Sequence, residues 1–504
     1  MTAAPPADPA DPAEPVQSAA RDLRAPLLGA AAWSGGLLAA ALPTAWPRVV
    51  GLGLALMAAL MVTRRVRRRS RGLAPSPLAV QLKAPATTTA IAAGLLLVAV
   101  AFSAGVRGHQ VGRGPVAELA QESASVEVVA QVTSDPRRAQ SRPEGVVARA
   151  QVLQFTGRGR TWRLRAPVVL LVDEAWLGIP LGATVATTGQ LSPAEGEIAG
   201  LLRAGDPVPV AAPDRWWRAA AVVRAGIREA VSPRSEEQRV LVPSLVVGDD
   251  SGLDPGLAED FRVTGLTHLL AVSGTNLTLL VGFLLVAARW CGVRGWGRYV
   301  VGALGIVCFV LLARTEPSVV RAAAMGGVAL AAFTSNGRER GLRALGVAVV
   351  LLLLWQPGLA VQAGFALSVL ATAGILLLAP PWRDCLARWL PGWLAEALTV
   401  PAAAQLACTP VVAAISGQVS LVAVLANLLV APAVAPATVL GLLGGLCAVA
   451  WPALGHVVAL PAAWAVGWII AVARWGAGVP LPAIETGSGA VALALLTGLV
   501  VAVV

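Results

Sequence analysis

The sequence predicts a polytopic α-helical integral membrane protein with a small extracytoplasmic β-rich domain inserted after the third helix. Three observations carry this expectation. First, the 504 residues are 56% hydrophobic and 13% charged, with a mean hydropathy of +0.71, whereas a soluble chain carries about a quarter charged residues. A larger water-soluble core cannot absorb that deficit, because surface grows with chain size and has to stay wet. Second, nearly charge-free runs recur at Thr88–Val106, Val300–Ala313, Leu342–Trp355, Ala363–Ala379 and Ala490–Val504. They approach the about 20 residues a spanning helix needs and outnumber what a signal peptide requires. Third, the pattern breaks over residues 107–212, where charge rises and short alternating runs replace long apolar ones.

Residues 1–24 read as a disordered tail, with Pro, Ala and acidic residues dominating 1–20. Residues 25–106 hold the N-terminal transmembrane helices. Apolar residues from Ala25 to Ala41 and from Val49 to Val62, separated by Pro43 to Pro47, predict a helical hairpin. The run Arg64-Arg65-Val66-Arg67-Arg68-Arg69-Ser70-Arg71 follows. Short Arg-rich loops stay cytoplasmic, which puts the N-terminus inside; the alternative for this run is a nucleic-acid-binding patch. A third helix over 88–106 then leaves the cytoplasm.

Within 107–212 the runs Ser125–Val132, Gly145–Leu153, Thr161–Leu164 and Thr184–Leu191 alternate as strands do. Gly157–Arg160 reads as a hairpin turn. Counting helices sets this domain outside, and it holds no cysteine, so it cannot rely on disulfides. From 213 to 504 the chain returns to the membrane. Trp216, Trp217 and Arg218 suit an interfacial start, and Pro381–Trp393 fits a short helix lying on the membrane surface. No soluble domain is expected after the last apolar segment.

Several chemistries are disfavoured. The five cysteines form no CxxC pair, and Cys308, Cys408 and Cys447 lie in apolar segments as small hydrophobes do. His109, His268 and His456 are too far apart for a histidine-built dinuclear metal site. No GxxxxGK[ST] loop occurs. Asp249, Asp250, Asp254, Glu259 and Asp260 either hold a divalent ion or serve as solvated loop and helix N-terminal charges; the second reading is simpler. No catalytic residue, metal or cofactor is therefore expected.

Four segments in order carry a resemblance: Thr264–Leu280 (TGLTHLLAVSGTNLTLL), Pro317–Gly326 (PSVVRAAAMG), Gln356–Leu378 (QPGLAVQAGFALSVLATAGILLL) and Ala404–Pro432 (AQLACTPVVAAISGQVSLVAVLANLLVAP). Together they resemble the ComEC family of competence channel proteins. The resemblance runs from about residue 25 to the end of the membrane part, and 107–212 is placed and sized like that family's OB-like domain. It implies a membrane channel that carries single-stranded DNA across the cytoplasmic membrane during natural transformation, and not an enzyme. The implied partners are single-stranded DNA, the lipid bilayer and other competence proteins: a DNA receptor, a separate nuclease and a cytoplasmic helicase or ATPase. A homo-oligomer or a partner-dependent assembly is expected, with stoichiometry open. The chain departs from the family pattern twice. Asn276 stands near the place where many members have a second histidine. The metallo-β-lactamase-like domain that ends many members is not expected here.

Polar residues inside spans are expensive and mark paths through the bilayer. Segment 264–280 is dense in them, with Thr264, Thr267, His268, Ser273, Thr275, Asn276 and Thr278, and Gly265 and Gly274 interrupt its helix. It is either the pore-lining element or interhelical glue, and His268 is either functional or a packing histidine. Arg321 either meets phosphates as a fixed cation, snorkels or pairs with Glu316; Arg314 is read as interfacial. Gln362, Ser368 and Thr372, then Gln405, Thr409, Gln418 and Asn427, are the polar candidates of the last two segments. Pro401, Pro410, Pro432 and Pro436 suggest kinked or broken helices there.

In the external domain, Arg158, Arg160, Arg163 and Arg165 with Phe155 and Trp162 offer the basic groove and aromatic stacking that OB folds use on single strands. Alternation sets Arg163 and Arg165 on one face and Trp162 and Leu164 on the other, so Trp162 is either a stacking platform or core. The competing function is a secondary transporter of a small solute, which predicts matched internal repeats. A membrane-embedded enzyme is disfavoured by the scarcity of intramembrane Asp, Glu and His.

Overall fold

The structure of the chain is a computed structural model that describes residues 24–42, 44–55, 58, 77–112, 114–138, 145–194, 198–250, 252–270, 274–314, 317–331, 339–487, 489, 493 and 496–498. The tail 1–20, the basic run 64–71, Ser273, Glu316 and most of 490–504 lie outside the described residues.

The described chain is mostly helical, with one β-sheet domain between two helical regions. Helix α1 (Arg24–Ala41) buries Gly29, Ala32, Gly35, Gly36 and Ala39. Small residues at that spacing let backbones approach closely: Gly35 lies directly on the Leu97 backbone of α2 (Pro77–Gly112), with no room for a β-carbon. A helical stretch over 46–55 follows α1, and its Trp46 packs edge-on against Phe102, centroids 5.8 Å apart. The third helix thus runs to Gly112, six positions past the 106 expected from the apolar run. Polarity rises at Arg107, but nothing there breaks a helix; the break comes at Gly114-Pro115, where α3 (Pro115–Gln121) starts.

The β domain is a closed barrel. Its strands are β1 (Ser125–Val132), β2 (Arg137–Arg138), β3 (Val146–Gly157), β4 (Arg160–Val172), β5 (Thr184–Ser192), β6 (Gly200–Ala204) and β7 (Val208–Ala211). The order β1-β3-β4-β6-β5 closes back on β1, with β2 added to β3 and β7 to β5. Within the ring only β4 and β6 run parallel. Alternation fills the interior with Val126, Val128, Ala130, Val132, Ala148, Ala150, Val168, Leu170 and Leu202, short side chains that suit a narrow barrel. Trp176 plugs it, fully buried, its indole N–H donating to the Gly205 carbonyl at 2.9 Å. Arg158 (φ 50°) and Gly159 (φ 74°) form the two-residue β3–β4 turn, as the right-handed twist of paired strands requires.

The second helical region begins with α4 (Arg215–Ala230), α5 (Glu236–Val247), α6 (Pro255–Val263), α7 (Thr267–Leu270), α8 (Gly274–Trp290) and α9 (Gly297–Ala313). It continues through α10 (Pro317–Ala331), α11 (Glu339–Trp355), α12 (Ala363–Leu377), α13 (Ala379–Leu386), α14 (Gly392–Ser416), α15 (Ala423–Ala450), α16 (Pro452–Val458) and α17 (Leu460–Ala477). A short ladder, β8 (Gln418–Ser420) on β9 (Ala483–Glu485), ties the end of α14 to the chain after α17. Among the described residues four helices are long and apolar enough to cross a membrane: Thr88–Gly112, Gly392–Ser416, Ala423–Ala450 and Leu460–Ala477. Helices α12 and α13, bent by 40°, would together make a fifth. Helices α8 to α11 are apolar but shorter.

Charge joins the barrel to the helices. Arg137 on β2 meets Asp250 at 3.1 Å, and Asp135 pairs with Arg314 at the end of α9. Trp217 on α4 lies against Gly182 in the barrel turn before β5.

Candidate functional site

The site is built around the C-terminal end of α5. Gly265 (φ 69°) precedes α7 and faces Ala423 at the start of α15, where a β-carbon would stand only 2.7 Å from the alanine methyl. Helix α7 is described to Leu270 and α8 from Gly274, and residues 271–273 lie outside the described residues. Leu270 of α7 and Asn276 of α8 are both held by the end of α5. The Ser244 hydroxyl donates to the Leu270 carbonyl at 3.0 Å, and Asn276 Nδ2 donates to the Leu245 carbonyl at 2.8 Å.

Helix ends leave carbonyls without intrahelical donors, and α5 shows how this end is satisfied. Gly248 (φ 70°) terminates it, and its N–H returns to Ser244. Asn276 takes Leu245. Arg224, 5% exposed, donates Nη1 to Val247 at 3.0 Å and also to Leu312 at 2.8 Å. Its Nη2 lies 3.3 Å from Asp249 Oδ2, which Arg228 meets at 2.8 Å. Burial, the largest influence, pushes the Arg224 guanidinium below its ordinary value, while Asp249 acts in the opposite sense.

Helix α8 packs on α10. Gly274 of α8 would carry a β-carbon 3.8 Å from the Ala322 methyl. The next residue back, Arg321, is 6% exposed and reaches the start of α12: a β-carbon on Gly364 would stand 3.2 Å from Arg321 Nη2. Gly274 and the N-terminus of α12 therefore abut one turn of α10. The structure brings Asn276, Arg321 and Gln362, which precedes α12, into this region.

The other predicted residues are placed as follows. His268 is exposed, its Nδ1 3.2 Å from the Gly265 carbonyl oxygen. Ser273 and the Thr275 side chain lie outside the described residues. The Thr278 hydroxyl donates to its own helix at Gly274, Thr372 to Ser368, Thr409 to Gln405, and Asn427 Nδ2 to Ala423. Such back-bonding satisfies a polar group inside its helix, so polarity at these positions does not by itself mark a wet path. Ser368, Gln405 and Asn427 are half-buried on α12, α14 and α15.

The acidic group divides. Asp249 and Asp250 serve arginines, Asp254 caps α6 by accepting from the Leu257 N–H at 3.0 Å, and Glu259 pairs with Arg262.

On the barrel, Arg158 at the turn pairs with Glu122 at 2.8 Å. Arg160, Arg163 and Arg165 are exposed. Trp162 stacks on Phe155 with centroids 4.8 Å apart and packs against the barrel core. A cleft of about 420 Å³ lies where α2, β3–β4 and the end of α11 meet, lined by Arg107, Gln110, Gln151, Pro167, Trp355 and Gln356.

Sequence reasoning missed Arg224 and Ser244, and read Asp249 as an ion ligand or a solvated loop charge where the structure buries it against two arginines. The usable signal was Pro243-Ser244 within LVPSLVV, a polar residue at a helix end in an otherwise apolar run.

The class is a mostly helical protein with four or five helices long and apolar enough to cross a membrane, and a small barrel domain. Asn276, Arg321 and the start of α12 all lie within residues 245–504, which a sequence model described as "Competence: Competence protein" matches. The chain belongs to that Competence protein family. It is also 28% identical over 192 residues to "ComE operon protein 3" of Bacillus subtilis (strain 168), a stretch covering 38% of this chain and 24% of that protein. The match thus spans about a quarter of the relative's length. No solved structure matches the chain.

Proposed function

We propose that this chain carries single-stranded DNA across the cytoplasmic membrane during competence, as a channel and not as an enzyme. The observation that carries the reading is the buried Arg321 of the family-matched region, set against the N-terminus of α12. A polyanion crossing lipid needs a protein-lined path with positive potential, and transporters supply it with broken helices whose N-termini face anionic groups. The bilayer, a DNA receptor, a separate nuclease and a cytoplasmic ATPase are the partners this reading requires.

The orientation has the N-terminus inside and the barrel outside. Helix α9 has 17 residues, about 25 Å at 1.5 Å per residue. One end carries Arg314, paired to the barrel. Its other end, with the turn that joins it to α8, carries Arg289, Arg294 and Arg298, with Trp290 and Trp296 exposed. Arginine-rich short loops remain cytoplasmic and tryptophans line the interface.

The barrel is OB-like on this reading: the five-strand ring and its parallel β4–β6 pair support it. Arg163 and Arg165 alternate on the outer face of β4, and Pro167 continues that face into the cleft. Single strands bind through such basic tracks with a salt slope of about −0.7 per phosphate contact. Arg163→Ala with Arg165→Ala is expected to lower that slope by about 1.4, measured by oligonucleotide anisotropy against the purified chain across salt concentrations. An unchanged slope removes DNA binding from this face.

The test of the whole reading is uptake of end-labelled double-stranded DNA with and without the gene. Nuclease-protected single strands are expected to vanish in the deletion while surface binding persists. Unchanged uptake overturns the channel role.

A further inference from the structure

We propose that the N-terminus of α12 and the Arg321 guanidinium form a seat for a phosphate-class oxyanion. Two positive groups face each other here. Arg321 is more than nine-tenths buried, its Nε has no hydrogen-bond partner, and no described carboxylate pairs with it. A buried cation without a counter-charge carries a heavy solvation penalty.

The start of α12 adds to the excess. Gln362 gives it no side-chain cap. The Gln362 carbonyl accepts from the N–H groups of Phe365 and Ala366. The N–H groups of Ala363 and Gly364, the first two helical residues, have no intrahelical acceptor, and the helix dipole makes this end positive. Both residues are exposed, and Arg321 Nη2 and Nη1 lie 3.2 and 3.5 Å from where a Gly364 β-carbon would stand. Like potentials at such range repel unless an anion joins them.

Backbone amides at a helix start bind phosphate and sulfate, and a guanidinium matches two oxygens of a phosphate group at once. Glycine at 364 leaves the amides open and the guanidinium uncrowded. The shared ligand chemistry is a phosphate oxyanion, supplied by a DNA phosphodiester, a lipid headgroup or free phosphate. The DNA source rests on the translocation reading above; the seat itself does not.

The test uses the full chain purified in an uncharged detergent, with thermal midpoint and equilibrium binding as readouts. The probes are inorganic phosphate, a short single-stranded oligonucleotide, the same oligonucleotide with an uncharged methylphosphonate backbone, and phosphatidylglycerol in mixed micelles. Wild type is expected to gain midpoint with phosphate. Arg321→Met is expected to start from a higher anion-free midpoint, because it removes the uncompensated charge, and to lose the gain. Gly364→Ala retains the cation but crowds the seat, and is expected to bind phosphate about tenfold more weakly with its anion-free midpoint kept. A gain with the natural oligonucleotide and none with the methylphosphonate assigns the seat to DNA; a gain with phosphatidylglycerol alone assigns it to lipid and retains the seat. No anion-dependent gain in wild type, or an equal gain in Arg321→Met, overturns the seat. Uptake that persists in the gene deletion, beside an Arg321-dependent gain, overturns translocation and leaves the seat standing.

Discussion

Asp249→Asn is expected to destabilise the purified protein by about 3–5 kcal/mol, the range for breaking a buried ion pair by removing one partner. Asp249 is 8% exposed and answers two arginines. Arg228 is 54% exposed and water replaces its partner. Arg224 is 5% exposed and has only carbonyl dipoles left, at Val247 and Leu312. The cost therefore falls on Arg224. Adding Arg224→Met to Asp249→Asn removes the stranded charge and is expected to recover part of the loss, less the carbonyl bonds that the guanidinium made. Glu259→Gln is the contrast: its pair with Arg262 is about half exposed, and such pairs are worth about 0–1 kcal/mol. Denaturation midpoints of the three variants in one detergent give the comparison. A loss for Asp249→Asn as small as that for Glu259→Gln rejects the argument.

The second large effect is expected at Asn276. Its side chain is 1% exposed and closes the end of α5 through the Leu245 carbonyl. Asn276→Leu leaves that buried carbonyl without its donor, at about 1–3 kcal/mol. Asn276→Asp retains the shape but sets a carboxylate against the carbonyl, and is expected to be worse still, because burying an unpaired charge costs more than burying a bare carbonyl. The order Asn, Leu, Asp in falling stability separates capping from a role in passage alone, which leaves all three equally stable and lowers only DNA uptake. Ser244→Ala removes the tie to the Leu270 carbonyl and is expected to act in the same direction, more weakly.

These residues show how much the sequence reveals. The apolar helices are legible because they depend on bulk patterning: the apolar runs already mark α12 and most of α9, and the apolar part of α2. Strand β1 is legible to the residue, since a half-buried strand must alternate. Strand β4 is not. Its expected span, Thr161–Leu164, stops short of the observed Arg160–Val172 because Ala166-Pro167 looks like an end, and proline argues against a central strand. The barrel tolerates Pro167 since β6 begins to pair only at Val168, so the missing N–H leaves no ladder bond unmade. The caps of α5 are not legible either. A carbonyl's need for a donor is set by where a helix stops, and the donor comes from residues 23 and 31 positions away. The crowding of hydroxyls in 264–280 is visible in the sequence, but their preference for their own backbone is not.

The barrel's attachment has a consequence of its own. Arg137 and Asp250 are each 38% exposed, and Asp135 with Arg314 is partly so. Water and salt reach the Arg137–Asp250 bridge, whereas the Asp135 oxygen that faces Arg314 is buried; at physiological ionic strength exposed charges are screened beyond about 8 Å. The dock is thus an electrostatic latch with one wet bridge, hung on the two chain crossings at α2–α3 and β7–α4. Its grip loosens as salt rises, while the helices, held by packing, are indifferent to it. Ionic strength can thus loosen the seat of the barrel without touching the fold of either part.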